Sequence, residues 1–386
     1  MMNNFTYSYP VKVCFGDKIA ADSLRTELQK YGKNVLFAYG GGAIKRVDIY
    51  DEIISVLKET GKNTIEFSGV MPNPTYAKVQ EGAKLAKEND IDFILAVGGG
   101  SVIDCCKIVS AQAKLGEDIW NFEYAKGGQP VDFISMGAVV TSFGTGAEMN
   151  NGAVITNEDL KQKSPLWGAF YDFAVLDVGY TMTMLLKQVI SGSFDTLSHC
   201  METYFGSPRE TNLSDEINEA VMRNVIKNMR ATLKDPDDRF VRSELIWAAA
   251  MGENGILKLG KVTDFQCHML EHQLGAYIDC NHGFGLAVIH PVLYWYIYKE
   301  NTAQFRRFAV NVWDVDPNGK TDEAVALEGI NALADFIKEV GLPTKFSEMN
   351  ITDTDWKAIA ESTIITPGCA KRLSPAELLE ILQECR

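Results

Sequence analysis

The five histidines of this chain all lie between His199 and His290, and none lies in the first half. Asp195 and His199 are spaced i, i+4, and the spacing recurs in His268 and His272. On a helix, the two members of such a pair lie on one face, one turn apart. Clustering of all the histidines in one part of the sequence favours a shared site over a surface scatter.

One carboxylate and three imidazoles suit a borderline divalent cation such as Fe²⁺ or Zn²⁺. The candidate ligands are Asp195 together with His199, His268, His272 and His282. Each i, i+4 pair taken alone is more often a buried hydrogen-bonded pair, so the prediction depends on the whole cluster. Cys267 would point about 100° away from its neighbour His268 on a helix and is not expected to be a ligand. His290 precedes a proline in an apolar run and is interpreted as structural.

Three glycine-bearing segments each follow an apolar, strand-like run. They are Gly40–Gly42, Gly98–Ser101 and Thr141–Gly146. Glycines let the backbone approach a pyrophosphate closely, and a helix N-terminus supplies free N–H groups. None of the three has the G-x-G-x-x-G spacing, and an isolated Gly-Gly-Gly-Ser is as readily a turn without a ligand. Three such loops at one sheet edge favour a phosphate-rich ligand.

The elements that must position these residues differ between the two halves. Strands are predicted at Asn34–Tyr39, Asn63–Phe67, Phe93–Val97, Ile134–Val140 and Phe173–Asp177. Helices are predicted at Val47–Glu59, Tyr76–Glu88, Val102–Ala113, Ser214–Met229, Val241–Leu257 and Glu323–Val340. Candidate N-caps are Asn212, Ser214 and Thr352, and Gly341-Leu-Pro343 is a helix stop. Strand–helix alternation indicates βαβ units on a mostly parallel sheet, followed after about Thr183 by an all-α region.

Length and composition fit two domains, predicted at residues 1–183 and 184–386. A net charge of −14 argues against binding to nucleic acid or an anionic membrane surface. The first ten residues do not read as a secretory signal and no apolar run could span a bilayer, so we expect a cytoplasmic protein. The eight cysteines form no C-x-x-C pair and are expected to be reduced.

Two motifs are specific enough to indicate a family. They are Asp195-x3-His199-x2-Glu202 and His268-x3-His272-x9-His282-Gly283. Less specific stretches are the glycine loops with Asp104, Pro72-Asn-Pro74 and Thr145–Asn150. On these residues nearly the whole chain resembles the iron-containing (group III) alcohol dehydrogenases, closest to their NADPH-dependent butanol dehydrogenase and aldehyde reductase branch.

The resemblance implies an α/β N-terminal Rossmann-like nucleotide-binding domain followed by an all-α metal-binding domain, a dehydroquinate synthase-like arrangement, and a homodimer. By the same resemblance Asp195, His199, His268 and His282 are the metal ligands. His272 is then a non-ligand histidine beside the nicotinamide and the catalytic residue. The cofactor-binding residues that it implies are Gly40, Gly41, Gly42, Asn73, Gly99, Gly100, Ser101, Asp104, Thr141, Thr145, Asn150 and Lys163.

The function expected from the resemblance is hydride transfer between NADP(H) and a primary aliphatic alcohol or aldehyde. A bound Fe²⁺ or Zn²⁺ would act as a Lewis acid on the substrate oxygen. Three alternatives stay open: a polyol dehydrogenase or dehydroquinate synthase-like lyase on the same scaffold, a metallohydrolase, and a non-catalytic nucleotide- or metal-binding protein. A lyase with a charged substrate would need more cationic residues near the metal motifs, and a hydrolase would not need three glycine loops.

The type of nicotinamide cofactor and the substrate follow from two further patterns. A carboxylate after the first nucleotide strand would bind the ribose 2′-hydroxyl and repel a 2′-phosphate. Here that turn is Gly40–Gly42, with Lys45 and Arg46 shortly after, which predicts NADP(H) over NAD(H). Large apolar residues lie around the metal motifs, and any that line the pocket would favour unbranched aliphatic aldehydes over glycerol. They are Trp247, Met251, Phe265 and Met269.

Overall fold

The computed structural model of the chain describes residues 3–366, 368 and 370–386. These form two compact units. One unit is Ser8–Leu185, and the other comprises Leu186–Arg386 together with the described residues up to Tyr7. One of the eight cysteines, Cys369, lies outside the described residues, and the other seven form no disulfide bond with one another.

The first unit contains a six-stranded parallel sheet and a separate hairpin. The strands are β1 (Lys12–Gly16), β2 (Asn34–Tyr39), β3 (Asn63–Phe67), β4 (Phe93–Gly98), β5 (Ser135–Val140), β6 (Gly152–Asn157), β7 (Gln162–Trp167) and β8 (Phe173–Asp177). The sheet order is β1-β8-β5-β4-β2-β3, and β6 pairs with β7 antiparallel. All neighbours in the large sheet run parallel. The five predicted strands are confirmed to within a residue.

The helices of this unit alternate with the strands, as predicted. They are α1 (Ala20–Glu27), α2 (Ile49–Glu59), α3 (Tyr76–Glu88), α4 (Gly100–Lys114) and the short α5 (Val178–Thr181). Every residue of β4 is buried, as expected for a central parallel strand that has no solvent-facing side. Sequence analysis missed β1 and the β6–β7 hairpin. The strand β1 is a half-exposed edge strand, and Pro165 interrupts the strand pattern of β7.

The second unit is helical throughout the residues that the structure describes. Its helices are α6 (Leu186–Tyr204), α7 (Leu213–Lys234), α8 (Arg239–Glu253), α9 (Gln266–Ile278), α10 (His282–Ile297), α11 (Thr302–Trp313), α12 (Asp322–Glu339), α13 (Trp356–Ser362) and α14 (Pro375–Glu384). None of the helices formed by the described residues has the length and apolar character to cross a membrane.

The predicted helix starts and ends in this unit are confirmed in part. Asn212 is confirmed as the N-cap of α7, where it forms a capping box with Asp215. The prediction of Ser214 as an N-cap is wrong because this residue lies within α7, and that of Thr352 is wrong because no helix begins there. Helix α8 stops four residues short of the predicted Leu257, since Gly255 takes a left-handed conformation with φ 88°.

Candidate metal centre and nucleotide loops

Helix α6 carries the first two predicted metal ligands. Asp195 and His199 lie one turn apart within a stretch of the helix that is buried from Ser193 to Tyr204. A buried helix offers a rigid support, because packing on all sides holds each side chain in one rotamer. His268 lies in the first turn of α9, and His282 is the first residue of α10. Three different helices thus supply the four side chains.

The three predicted histidine ligands lie around one carboxylate oxygen of the fourth ligand, Oδ1 of Asp195. The Nε2 atoms of His268 and His282 each lie 3.4 Å from this oxygen, and that of His199 lies 3.8 Å from it. Asp195, His268 and His282 each offer a donor atom within 4.8 Å of the other two. The fold therefore brings together all four residues that the sequence singled out.

The chemistry of this cluster fits a cation. Oδ1 of Asp195 and Nε2 of His268 are buried and have no hydrogen-bond partner among the described residues. Burial alone would raise the pKa of Asp195, but the surrounding imidazoles outweigh it and lower that pKa well below its usual value. Burial likewise lowers the pKa of His268, yet the carboxylates of Glu202 and Asp195 raise it to about 10. The centre of the cluster thus favours positive charge, which a divalent ion would supply.

The two histidines nearest to Asp195 also contact a glutamate through their other ring nitrogen. Nδ1 of His268 contacts Oε2 of Glu202, and Nδ1 of His282 contacts Oε2 of Glu271. Both glutamates are buried. Sequence analysis gave neither of them a role, although Glu202 lies seven residues after Asp195 on the same face of α6. Glu271 lies three residues after His268, a spacing that could have indicated proximity.

The remaining histidines occupy two different positions. The ring of His272 is buried and stacks beside that of His282, with centroids 5.3 Å apart. A second cluster of donor atoms within 4.8 Å contains Glu271, His272 and His282 and leaves out Asp195. His290 is fully buried, and its Nε2 lies 2.5 Å from the hydroxyl of Ser198. These positions place His272 next to the ligand cluster and His290 behind it.

The three glycine-bearing loops lie at one edge of the parallel sheet. Strand β4 pairs with β2 on one side and with β5 on the other, so the segments after these strands are neighbours. The chain leaves β2 towards β3 and leaves β4 towards β5, in opposite directions across the sheet. Ligands of open α/β sheets bind outside the carboxyl ends of the strands at such a reversal.

Close packing explains why two of these positions are glycine. A Cβ atom on Gly100 would lie 2.4 Å from Oγ1 of Thr145, and one on Gly99 would lie 3.0 Å from Cβ of Ser142. The backbone N–H of Thr141 donates to the carbonyl oxygen of Gly98 at 2.9 Å. The loop after β4 and the loop after β5 are therefore in direct contact, and Ser101 follows in the first turn of α4.

A buried lysine connects two of the predicted cofactor residues. Nζ of Lys107 lies 2.9 Å from Oδ1 of Asn150 and 3.4 Å from Oδ1 of Asp104. It also donates to the carbonyl oxygen of Gly152 at 2.5 Å, at the start of β6. The other oxygen of Asp104 accepts from the backbone N–H of Val154 at 3.0 Å. Lys107 was missed by sequence analysis, although it follows Asp104 by one helical turn.

The other predicted cofactor residues border the same sheet edge or the hairpin. The N–H of Gly69 donates to the carbonyl oxygen of Gly40 at 3.2 Å, so the loop before α3 adjoins the Gly40–Gly42 turn. Asn73 lies in that loop with a left-handed φ of 52°. Lys163 is buried in β7 opposite Thr156 of β6.

Comparison with known proteins agrees with this geometry. The family model for iron-containing alcohol dehydrogenase matches residues 10–178 of the sequence. The family model for the C-terminal part of the Fe-containing alcohol dehydrogenase family matches residues 189–385. The chain belongs to the iron-containing alcohol dehydrogenase family. The resemblance seen in the sequence is thereby confirmed, and with it the fold of a parallel α/β unit followed by a helical one.

Individual relatives align with almost the whole length of this alcohol dehydrogenase. The NADH-dependent butanol dehydrogenase B of Clostridium acetobutylicum is 37% identical over 99% of this chain and 98% of its own. The NADPH-dependent aldehyde reductase YqhD of Escherichia coli is 33% identical over 93% of this chain and 92% of its own. The crystal structure of NADH-dependent butanol dehydrogenase A from Thermotoga maritima superposes with a TM-score of 0.93 at 33% identity, covering 100% of this chain and 99% of that one.

Family membership fixes the general chemistry of this alcohol dehydrogenase. It is an oxidoreductase that interconverts alcohols and aldehydes with a nicotinamide cofactor, and the family is defined by an iron-type metal. The relatives include both NADH- and NADPH-dependent enzymes, so membership alone leaves the choice of cofactor open.

Proposed function

We propose that this enzyme transfers a hydride between NADP(H) and a primary aliphatic alcohol or aldehyde, in the manner of a butanol dehydrogenase. The observation that carries the proposal is the convergence of three imidazole Nε2 atoms on Oδ1 of Asp195, an oxygen with no hydrogen-bond partner in the part of the chain that the structure describes. Asp195, His199, His268 and His282 would hold the metal. A divalent ion such as Fe²⁺ or Zn²⁺ at this position would act as a Lewis acid on the substrate oxygen.

The nucleotide would be held by the loops at the sheet edge. The N-terminus of α4, which has no side-chain cap, and the close backbone approach that Gly99 and Gly100 permit suit a pyrophosphate. Cofactor binding is proposed for Gly40, Gly41, Gly42, Asn73, Gly99, Gly100, Ser101, Asp104, Thr141, Thr145, Asn150 and Lys163. The network around Lys107 supports this set, because it ties Asp104 and Asn150 to one buried cation.

His272 would shape the nicotinamide pocket or pass the alcohol proton towards solvent. Its ring lies 5.8 Å from that of His268 and 5.3 Å from that of His282, close to the ligands yet outside the cluster around Asp195. An imidazole can act as a general acid or base near neutral pH when it lies within hydrogen-bond reach of the substrate or of one intervening water.

Phe265 supports the assignment of an apolar substrate. Its ring lies against two of the proposed ligands, with centroids 4.9 Å from His268 and 5.8 Å from His199. Its backbone is left-handed, with φ 56°, an uncommon conformation for a bulky residue and one that tends to occur at functional sites. Trp247, which sequence analysis grouped with it, is 41% exposed. An aromatic wall beside the metal would exclude water and favour aliphatic chains over polyols.

NAD(H) is a second candidate cofactor, favoured by one contact. Nζ of Lys45 lies 3.6 Å from Oε2 of Glu66 on β3, so the cation predicted to attract a 2′-phosphate already has a carboxylate partner. A carboxylate in that region is the usual partner of the ribose hydroxyls of NAD(H). NADP(H) stays the first candidate because two cations, Lys45 and Arg46, follow the glycine turn after β2.

The test is a matrix of cofactor, metal and substrate. Iron-loaded and zinc-loaded protein is assayed with NADPH and with NADH against straight-chain aldehydes of increasing length, and with glycerol in the oxidative direction. The proposal expects the largest kcat/KM with NADPH and an aliphatic aldehyde of about butanal length. Better turnover with NADH would select the second candidate, and better turnover of glycerol would indicate a polyol dehydrogenase. No turnover of any alcohol or aldehyde by metal-loaded protein would refute both. Light scattering would test the homodimer that the resemblance implies.

A further inference from the structure

Two carboxylates outside the proposed ligand set hold the two histidines that lie nearest to Asp195. We propose that Glu202 and Glu271 are positioning residues that fix the ring orientation and the tautomer of His268 and His282 for metal binding. This inference rests on the proposed function and adds two residues to the site.

The two histidines are held in the same way. Each contacts a glutamate oxygen through Nδ1, and each places Nε2 at 3.4 Å from Oδ1 of Asp195. A carboxylate accepts hydrogen bonds, so Nδ1 keeps its hydrogen, and a metal that displaces the proton of Nε2 would meet the lone pair of that nitrogen at the centre of the cluster. A metal-binding histidine needs this tautomer. A carboxylate partner on the second nitrogen also makes the imidazole a stronger ligand.

Glu202 fixes the backbone of His268 as well as its ring. Its carboxylate accepts from the backbone N–H of Cys267 at 2.6 Å and from that of His268 at 3.2 and 3.3 Å. These N–H groups belong to the first turn of α9, where a helix has unpaired donors and a positive dipole end. One side chain on α6 therefore anchors the start of α9 and the ring of its metal ligand, and loss of Glu202 should move both.

Glu271 connects the other pair of helices. It is fully buried on α9 and reaches Nδ1 of His282 at the start of α10. The chain makes room for it, because a Cβ atom on Gly285 would lie 2.8 Å from Cγ of Glu271. The thiol of Cys280 is a further donor, 3.7 Å from Oε1. A carboxylate at this depth is costly unless it is paired, and here one of its partners is a proposed metal ligand.

His199 provides an internal contrast. Its Nδ1 is buried and has no hydrogen-bond partner among the described residues, and its Nε2 is farther from Asp195, at 3.8 Å. Stacking on the ring of His268, with centroids 4.4 Å apart, holds it instead. Removing a glutamate should therefore weaken ligation by His268 or by His282 directly.

The experiment measures metal affinity without turnover. Wild type, Glu202→Ala, Glu202→Gln, Glu271→Ala and Glu271→Gln are titrated with Zn²⁺, and anaerobically with Fe²⁺, in competition with a chromophoric chelator. We expect each alanine variant to bind metal about 10–100-fold more weakly. The glutamine variants should recover part of that loss, because the amide oxygen still accepts from Nδ1–H. The matched control is Glu219→Gln, a buried glutamate of the same unit that contacts Arg307 and Tyr204; its metal affinity should not change.

The outcomes separate this inference from the proposed function. The positioning role would be overturned if metal affinity stayed at the wild-type value in folded Glu271→Ala and in both Glu202 variants. The proposed function would then still stand. If Glu202→Ala does not fold, because it also loses the anchor of α9, Glu202→Gln and Glu271→Ala decide the matter. Failure of the wild-type protein to bind either metal would overturn the proposed function, and this inference with it.

Discussion

The ammonium group of Lys107 lies 2.9 Å from the side-chain oxygen of Asn150, and the lysine side chain is fully buried. This contact joins α4, which begins within the Gly98–Ser101 segment, to the segment that leads into the β6–β7 hairpin. Loops that bind phosphates act through their backbone, so their position depends on the elements behind them. Lys107 would be such a support for the proposed nucleotide loops, and replacing it tests whether they depend on it.

Lys107→Met should weaken both the fold and the cofactor site. It leaves the oxygens of Asn150 and Gly152 and the carboxylate of Asp104 without this buried cation, a loss of about 3 kcal/mol or more in the free energy of unfolding. Urea unfolding measures this loss. In steady-state kinetics the KM for the nicotinamide cofactor should rise by a larger factor than kcat falls. Lys107→Arg keeps the charge, so its free energy of unfolding and its cofactor KM should lie between those of wild type and Lys107→Met. An unchanged cofactor KM in folded Lys107→Met would contradict the supporting role.

His268→Ala and His272→Ala should separate metal binding from catalysis. His268 offers Nε2 to the cluster at Asp195, whereas His272 lies outside that cluster. We expect the first variant to be metal-poor and inactive, and the second to keep its metal while turning over more slowly. Metal analysis and kcat on the same samples provide the comparison. The reverse pattern would mean that the two roles are exchanged, and full activity of His272→Ala would make His272 structural.

A carboxylate introduced into the turn after β2 should shift cofactor preference towards NAD(H). Gly41 is the better site for it, because an added Cβ atom meets nothing within 4 Å and its backbone is not left-handed. Gly42 has φ 91°, so an aspartate there would strain the turn as well as add charge. For Gly41→Asp we expect the ratio of kcat/KM for NADPH to that for NADH to fall at least tenfold, with Gly41→Asn as the neutral control. An equal shift in the asparagine variant would show that shape, not charge, is responsible.

Phe265→Ala should change the chain-length preference. Loss of the ring beside His199 and His268 opens space next to the proposed ligands. The optimum in kcat/KM should move to longer aldehydes. The kcat/KM for butanal should fall about tenfold, which is the effect of one or two methylene contacts in an apolar pocket. Trp247→Ala, at an exposed position, serves as the comparison. An unchanged chain-length profile in Phe265→Ala, with metal content intact, would remove Phe265 from the substrate pocket.

The carboxyl group of Glu123 should make stability fall as the pH rises. Burial raises its pKa to about 7, while the N–H of Trp167, 2.9 Å from Oε2, acts in the opposite direction. Between the ordinary glutamate pKa and about pH 7 the folded protein binds more protons than the unfolded chain, so stability decreases across this window. Glu123→Gln keeps an acceptor for Trp167 and removes the titration, so its melting temperature should rise relative to wild type as the pH goes from 5 to 8. Glu88→Gln on the surface of α3 is the control, and parallel pH profiles for Glu123→Gln and wild type would refute the prediction.

The sequence by itself determined what depends on local periodicity. Apolar runs of strand length located β2, β3, β4, β5 and β8, and the amphipathic pattern located α3 at its observed bounds. The spacing of Asp195 and His199 placed both on one face of a helix, and the chain's five histidines indicated a shared site. These signals are readable because side-chain direction repeats every 2 residues in a strand and every 3.6 in a helix.

Only the tertiary structure decided which distant side chains meet. It placed β1 beside β8 at the sheet edge and brought His282 to the same carboxylate oxygen as His268. It also gave Glu271 and Lys107 their partners. A buried carboxylate or ammonium is stable only when residues distant in the sequence supply an opposite charge or a hydrogen-bond partner, and no local sequence pattern shows which residues these are. The sequence could therefore name the proposed metal ligands, whereas the residues that hold them in place became visible only in the folded chain.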